Sequence, residues 1–384
     1  MAGTGGSAWR TTLLSAGVLA FAGMGDALIY VVLPIEAAAF GLSLTWVGIL
    51  LSANRFARVL LYGEIARLGI RIGPRNLSIA AAVASIVSTL MYGLVESPWL
   101  QLAARVTWGL SFAALNLTTL SYAWGDGRDG RSGTRMGASR GLRQTGLAFA
   151  CAAGAWAAIA IGPREAFVFI GLLSLPALAL ALMLPRAEPG KRSEERVWTR
   201  PAPVDIYIFV FGAVIDGGFI MTMAAVLGED ASARAAMIAA GLSWALRYLV
   251  VVAVAPVSGV LCDRFGANRL LLLASATVIA GLLAVALGAA YAGVIAIVVT
   301  RAMVDTTAPI VAAHHARGEV LIAVSRNATW RDMGAAVGPL GAGLSLGLLP
   351  LSPYYGVMAA MLAAVTLWMA WVVRRTPATD RSRG

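Results

Sequence analysis

Lysine is almost missing from this chain: of 30 basic residues only Lys191 is a lysine. Cysteine is down to Cys151 and Cys262, too few for a disulfide framework. Both read as inert small residues. Charge of either sign is thin, at 13%, where soluble domains carry about 25%. No Gly-Lys-Ser/Thr ending closes the glycine-rich stretch GDGRDGRSG (Gly125 to Gly133), so it reads as a flexible turn and not a phosphate loop. No ATP-hydrolysing module is expected, and any pumping must draw on an ion gradient. No nucleophile constellation is found, and no cofactor is called for. His314 and His315 have no acid at a helical i+4 position, and Glu319 lies across a loop turn, so no metal site is expected. The sequon Asn327-Ala-Thr329 lies inside an apolar span. The net charge of +11 does not point to nucleic acid, because the arginines fall in loops between apolar runs and form no single patch interleaved with aromatics.

What is present is apolar. At 59% hydrophobic residues, a water-soluble globule could not bury its own surface, so lipid must be the main solvent. The apolar runs are about 20 residues long and do not alternate, which excludes a transmembrane barrel and leaves helices that satisfy their own backbone. Hydropathy places twelve of them near 10–37, 44–67, 76–95, 98–123, 138–160, 163–185, 204–227, 233–258, 268–289, 291–314, 319–347 and 352–374. The first resembles a signal peptide after Arg10. Its length, and Asp26 within it, mark it as an uncleaved span. Trp9, Trp46, Trp99 and Trp371 sit near span ends as interfacial anchors; Trp108, Trp244 and Trp330 lie deep and read as packing residues. The longest connection, 186–203, is polar and proline-bounded, a linker between a six-helix half at 1–185 and a second at 204–384. Alternate loops hold the arginines: Arg67, Arg71 and Arg75; Arg128, Arg131 and Arg135; the linker; Arg264 and Arg269; Arg317; and the tail. The other loops hold only Arg164 and Arg234, beside Glu165, Glu229 and Asp230. That alternation puts both termini in the cytoplasm.

The halves echo one another. Gly25-Asp26-Ala27 on the first helix resembles Ile215-Asp216-Gly217 on the seventh, Arg105 on the fourth matches Arg301 on the tenth, and Arg143-Gln144-Thr145-Gly146 matches Arg331-Asp332-Met333-Gly334. The offsets are nearly constant, as in a repeat of same-direction halves. The loop Gly259-Val-Leu-Cys-Asp263-Arg264-Phe-Gly266-Ala-Asn-Arg269 is similar to the cytoplasmic G-x-L-a-D-r-x-G-r-k loop of the major facilitator superfamily. The fourth helix, Leu102 to Ala114 around Arg105, resembles that family's l-x-x-R-x-x-q-G-x-g-a-a pattern, with Trp108 departing from it. Gly334 to Gly343 looks like the G-x-x-x-G-P-x-x-G-G motif of its drug exporters, moved from the fifth helix to the eleventh. In the first half's loop (YGEIARLGIRIGPR), Ala66 stands where an aspartate is expected, with Glu64 as a displaced substitute. The resemblance implies an all-α polytopic fold of twelve helices, with helices one, four, seven and ten lining a central cavity. It implies an inner-face gate at Gly259, Asp263, Arg264, Gly266 and Arg269.

Ionisable residues within spans are informative, since each costs at least ~2.5–3.5 kcal/mol at mid-membrane. Ten fall near mid-span: Asp26, Arg55, Arg58, Arg105, Asp216, Arg247, Arg301, Asp305, Arg331 and Asp332. On the four helices that line the family's cavity stand Asp26, Arg105, Asp216 and Arg301, which suggests two Asp–Arg pairs, one per half, as proton switches. Asp305 and Asp332 join the candidates for proton coupling. Arg301 and Asp305 share a helix face; Arg331 and Asp332 point about 100° apart and must meet different neighbours. Arg55, Arg58, Arg105, Arg247, Arg301 and Arg331 are candidates for substrate binding, and their excess over aspartate favours an anionic or zwitterionic solute. The expected function is proton-coupled secondary transport of a small organic solute by alternating access, working as a monomer in a bacterial inner membrane, and not an enzyme. The Gly-Pro motif speaks for export. An importer of a small organic anion and a scaffold without transport are the alternatives.

Overall fold

Prolines open the helices of this chain. Pro74, Pro98, Pro163, Pro176 and Pro203 each stand in a first turn, where the ring's fixed φ suits the helix and its missing N–H is not needed. The computed structural model describes residues 4–33, 36–125, 130–186, 201–227, 233–316, 320–346 and 349–375. Most of the expected linker, with Lys191, Arg192, Arg196 and Arg200, lies outside these residues, as do Arg128, Arg317, Glu229 and Asp230.

Among the described residues the chain is helical, with no strand. The first span is α1 (Thr4–Ala22) and α2 (Met24–Val32), and a short 3-10 turn follows at Ala37–Phe40. Then come α3 (Leu44–Ile72), α4 (Pro74–Leu94), α5 (Pro98–Trp124), α6 (Ser132–Ala160), and a sixth span split into α7 (Pro163–Leu173) and α8 (Pro176–Leu182). The seventh span is α9 (Pro203–Phe211), a wider π-type segment at Gly212–Phe219, and α10 (Ile220–Leu227). The rest are α11 (Ala233–Phe265), α12 (Ala267–Ala286), α13 (Ala290–His314), α14 (Val320–Leu346) and α15 (Leu351–Arg375). These join into twelve stretches that correspond in order to the twelve expected spans. Seven are long and apolar enough to cross a membrane by composition alone; the others carry much of the charge described below. Leu60, Trp156, Ile159, Leu273 and Leu287 are exposed, as side chains that meet acyl chains should be.

Helix ends differ from the hydropathic ends for a physical reason. Hydropathy falls at the first arginine, but backbone hydrogen bonding does not stop there. Helix α3 runs on past Arg67 and Arg71 to Gly73 (φ +83°), and α11 runs on past Asp263 and Arg264 to Gly266 (φ +85°). Only glycine enters that left-handed backbone readily, so Gly73 and Gly266 are equivalent turns in the two halves.

Two compact units form: Met1–Val197 with Tyr248–Val260, and Trp198–Arg247 with Leu261–Gly384. In the first, α1 and α2 pack on α6, α3 on α5, and α4 on α5 and α7. Its apolar core includes Leu28, Ile29, Phe40 and Phe167, and the Phe40 and Phe167 rings meet edge-on at 5.6 Å. The stretch Tyr248–Val260 joins this unit through glycine: a Cβ on Gly137 or Gly259 would strike the backbone of Ala255 or Gly133. In the second unit, α12 packs on α13 and α15, and α14 on α9 and the π-type segment. Two of the expected anchors, Trp46 and Trp99, meet each other edge-on at 5.0 Å.

Candidate functional site

Asp26 sits just past a break in the first span. The helix is interrupted at Gly23, and Asp26 falls in the first turn of α2. Arg105 on α5 is fully buried and reaches three partners. Its Nη1 lies 2.5 Å from Asp26 Oδ1, its Nε donates to the Leu50 carbonyl at 3.0 Å, and its Nη2 to the Tyr30 hydroxyl at 3.1 Å. The Asp26 side chain keeps 19% of its exposure, against 1% for Arg105. The carboxylate therefore remains the reachable member of the pair.

Asp216 occupies the matching place in the second unit, with an added device. The π-type segment widens the helix around it, a distortion that re-aims side chains and recurs at functional sites. Arg301 on α13 gives Asp216 Oδ1 its Nε at 2.7 Å and its Nη2 at 2.5 Å. Arg331 on α14 gives Asp216 Oδ2 its Nε at 2.9 Å, and its Nη2 lies 2.7 Å from Asp305 Oδ1. Asp305 returns to Arg301 at 3.5 Å. Two arginines and two aspartates thus close a ring with no net formal charge. Arg105, Arg301 and Arg331, three of the six arginines expected to face a substrate, are each engaged by carboxylates.

The helices approach closely where these charges sit. Gly334 and Gly338 on α14 face the Phe209 and Ala213 carbonyls, and Gly212 faces the Arg331 carbonyl, with no room for a Cβ at any of the three. Gly146 on α6 faces the Ala20 backbone in the same way. The repeated Arg-x-x-Gly element therefore does one job twice: its glycine lets α6 against α1, and α14 against α9. Within the Gly334-to-Gly343 run, Gly334 and Gly338 are therefore close-packing residues on α14.

The sequence profile of the Major Facilitator Superfamily matches residues 16–299. This chain belongs to that superfamily. No curated protein matches the sequence. Among solved structures it is similar to the human organic anion transporter MFSD10 (TETRAN), at 13% identity and TM-score 0.78, covering 94% of this chain and 99% of that one. It is also similar to a variant of the E. coli fucose:proton symporter FucP, at 12% identity and TM-score 0.75, covering 94% of this chain and 98% of that one. At such identities the likeness is one of fold. The family's activity is transport across membranes, so the chain is a multi-pass membrane transporter of small molecules.

The superfamily's inner loop is where the structure corrects the sequence. Ala66 is not the position of the missing aspartate. Gly69, which sets that register, stays helical, and Gly73 is the structural mate of Gly266. Counting back from the two glycines puts Ile70 opposite Asp263 and Ala66 opposite Gly259. Glu64 is no substitute either, since it pairs with Arg67 one turn along its own helix at 2.8 Å. In the second half Gly259 is buried, whereas Asp263, Arg264, Gly266 and Arg269 are exposed at the end of α11 and the start of α12.

Of the other candidates, Arg58 is buried, and Arg55, Arg247 and Asp332 are half-buried. Arg58 lies with its guanidinium 4.8 Å from the centre of the Phe112 ring, and Arg143 lies 5.9 Å from the same ring. Arg143 also donates to Asn116 Oδ1 at 2.9 Å. Phe112 and Asn116 were not among the expected site residues. Their signal was spacing: they follow Trp108 by one and two helical turns on α5. Asp205 was missed as well. Fully buried in the first turn of α9, it accepts from the Ala202 N–H at 2.8 Å and meets Arg326 Nε at 2.5 Å. An acid two residues after a helix-opening proline was the signal there.

Proposed function

We propose that this chain is a proton-coupled secondary transporter of a small organic anion, working by alternating access, with Asp26 as its proton carrier. The observation that carries this reading is the asymmetry of the two Asp–Arg sites. Protonating Asp216 would strip one ring of the charge that holds the buried Arg301 and the half-buried Arg331. Protonating Asp26 leaves Arg105 with the Leu50 carbonyl and the Tyr30 hydroxyl, so the guanidinium keeps hydrogen-bond acceptors while the proton is bound. The ring Arg301–Asp216–Arg331–Asp305 is then a fixed part of the second half, and Asp216 and Asp305 carry no proton in the cycle. A buried charge pair whose one member stays reachable is what a proton-driven switch requires.

The placement of the arginine loops supports a bacterial inner membrane with both termini in the cytoplasm. Because close packing accounts for Gly334 and Gly338 in the Gly-Pro run, the case for export over import rests on no residue.

The test is proton movement in proteoliposomes that hold an internal pH dye. A panel of small carboxylates and sugars is added under a potassium-clamped potential. At least one carboxylate should shift internal pH, and the shift should vanish in Asp26→Asn while Asp332→Asn retains it. Undiminished pH shifts in Asp26→Asn would overturn the assignment. The sign of the shift gives the direction of coupling.

A further inference from the structure

The first unit holds a second polar cluster, one step along α5 from Arg105, whose α5 members its own repeat does not reproduce. The register that carries Arg105 to Arg301 also carries Trp108, Gly109, Phe112 and Asn116 to Val304, Asp305, Ala308 and Ala312. An aromatic and amide stripe on α5 is therefore replaced on α13 by small apolar residues and the acid of the ring. A feature needed only for the fold would be expected in both copies.

The stripe gathers charge and unsatisfied polarity. Arg58 from α3 and Arg143 from α6 converge on Phe112 at 4.8 and 5.9 Å, so the ring's negative π-density attracts both cations. Asn54, one turn before Arg58, is buried, and its backbone packs against Gly109. Its Oδ1 meets no hydrogen-bond donor among the described residues, and the buried Trp108 Nε1, beside Phe112, meets no acceptor. Phe112, Asn116 and Arg143 are half-buried, whereas Asn54, Arg58 and Trp108 are buried. The cluster thus grades from an accessible rim to a closed floor.

We infer that this cluster is the recognition subsite for a small hydroxylated carboxylate, an inference that rests on the transport reading above. The carboxylate lies between the Arg58 and Arg143 guanidiniums, whose donors suit its two oxygens. A hydroxyl both donates and accepts, so hydroxyls of the ligand answer the unpaired Asn54 acceptor and Trp108 donor. The aliphatic face of the ligand packs on Phe112. An unhydroxylated carboxylate would leave Asn54 and Trp108 unpaired, and a neutral polyol would gain nothing from the charge of the two arginines. Arg105 stands about two turns from Phe112 along α5, near enough for the occupied subsite to bear on the Asp26–Arg105 pair.

The experiment is binding in detergent, read by tryptophan fluorescence and thermal shift. The probes are glycerate, gluconate, glucuronate and quinate, with hexanoate, benzoate and sorbitol as contrasts. At least one hydroxylated carboxylate should bind, and hexanoate, benzoate and sorbitol should bind at least about tenfold more weakly, the first two because they leave Asn54 and Trp108 unpaired and sorbitol because it brings no charge to the arginines. Arg58→Gln and Asn54→Leu should each weaken the best probe, with the folded state checked by size-exclusion chromatography. Asn54→Leu should also narrow the gap between that probe and hexanoate, which a general loss of packing would not do. Absence of binding by all four hydroxylated probes overturns the inference, as does equal binding of hexanoate or sorbitol. Because binding is read without a gradient, intact binding with no proton movement in liposomes sinks only the coupling reading.

Discussion

Arg331 donates its Nε to Asp216 at 2.9 Å and turns its Nη2 to Asp305 at 2.7 Å. One guanidinium on α14 thereby ties the seventh span to the tenth. The bridge depends on glycine as much as on charge, because α14 can lie this close to α9 and the π-type segment only where Gly334, Gly338, Gly212 and Gly217 leave out a Cβ.

Removing the bridge should cost stability before anything else. Arg331→Ala removes one of the arginines that hold Asp216 and Asp305 in a buried site, and breaking a buried pair costs about 3–5 kcal/mol. The expected result is a marked fall in melting temperature in detergent. Asp26→Asn, which takes the counter-charge from a fully buried guanidinium, should lower it as well. A melting temperature for Arg331→Ala equal to that of the parent protein would show that the ring does not hold the second unit together.

The glycine contacts can be tested against a control on the same helix. A Cβ at Gly338 would meet the Ala213 carbonyl, whereas one at Gly341 would meet nothing. Gly338→Leu should abolish folded yield. Gly341→Ala should be neutral or stabilising by up to about 1 kcal/mol, the difference in helix propensity. Fluorescence-detected size exclusion of tagged variants distinguishes the two.

Gly73 and Gly266 should respond alike. Both hold a left-handed backbone at the start of the next helix, φ +83° and +85°, although only the second sits in a well-preserved family loop. Alanine at either position should cost about 1–3 kcal/mol of backbone strain. Equal losses in thermal stability would support their equivalence. A loss at Gly266 alone would mean that the two loops are not mates.

Arg105→Lys should not rescue Arg105→Ala. A guanidinium reaches Leu50, Asp26 and Tyr30 at once through three different nitrogens; an ammonium offers its donors from a single point. The lysine variant should fold but lose most proton-coupled transport in the liposome assay. Tyr30→Phe, which removes one hydrogen bond from the charged guanidinium, should cost about 1.5–3 kcal/mol.

The sequence by itself determined the solvent, the helices and the repeat. Twenty-residue apolar runs call for lipid as their solvent, and a charge within them is costly enough that ten ionisable residues stood out, of which the family resemblance picked Asp26, Arg105, Asp216 and Arg301. The two halves then suggested which of these should meet. The tertiary structure decided the rest. Which face α14 turns inward is fixed by backbone contact at its glycines, so Arg331 could be listed from sequence but its bridge between two acids could not. Ala66 and Ile70 could not be told apart because hydropathy does not record where a helix ends, whereas a positive φ at Gly73 does. Phe112 looked like one more apolar residue until α3 and α6 each brought an arginine to its ring. Sequence gives the energetic cost of a side chain in lipid, which is local. The partner that repays the cost comes from another helix, and only the packed fold brings the two together.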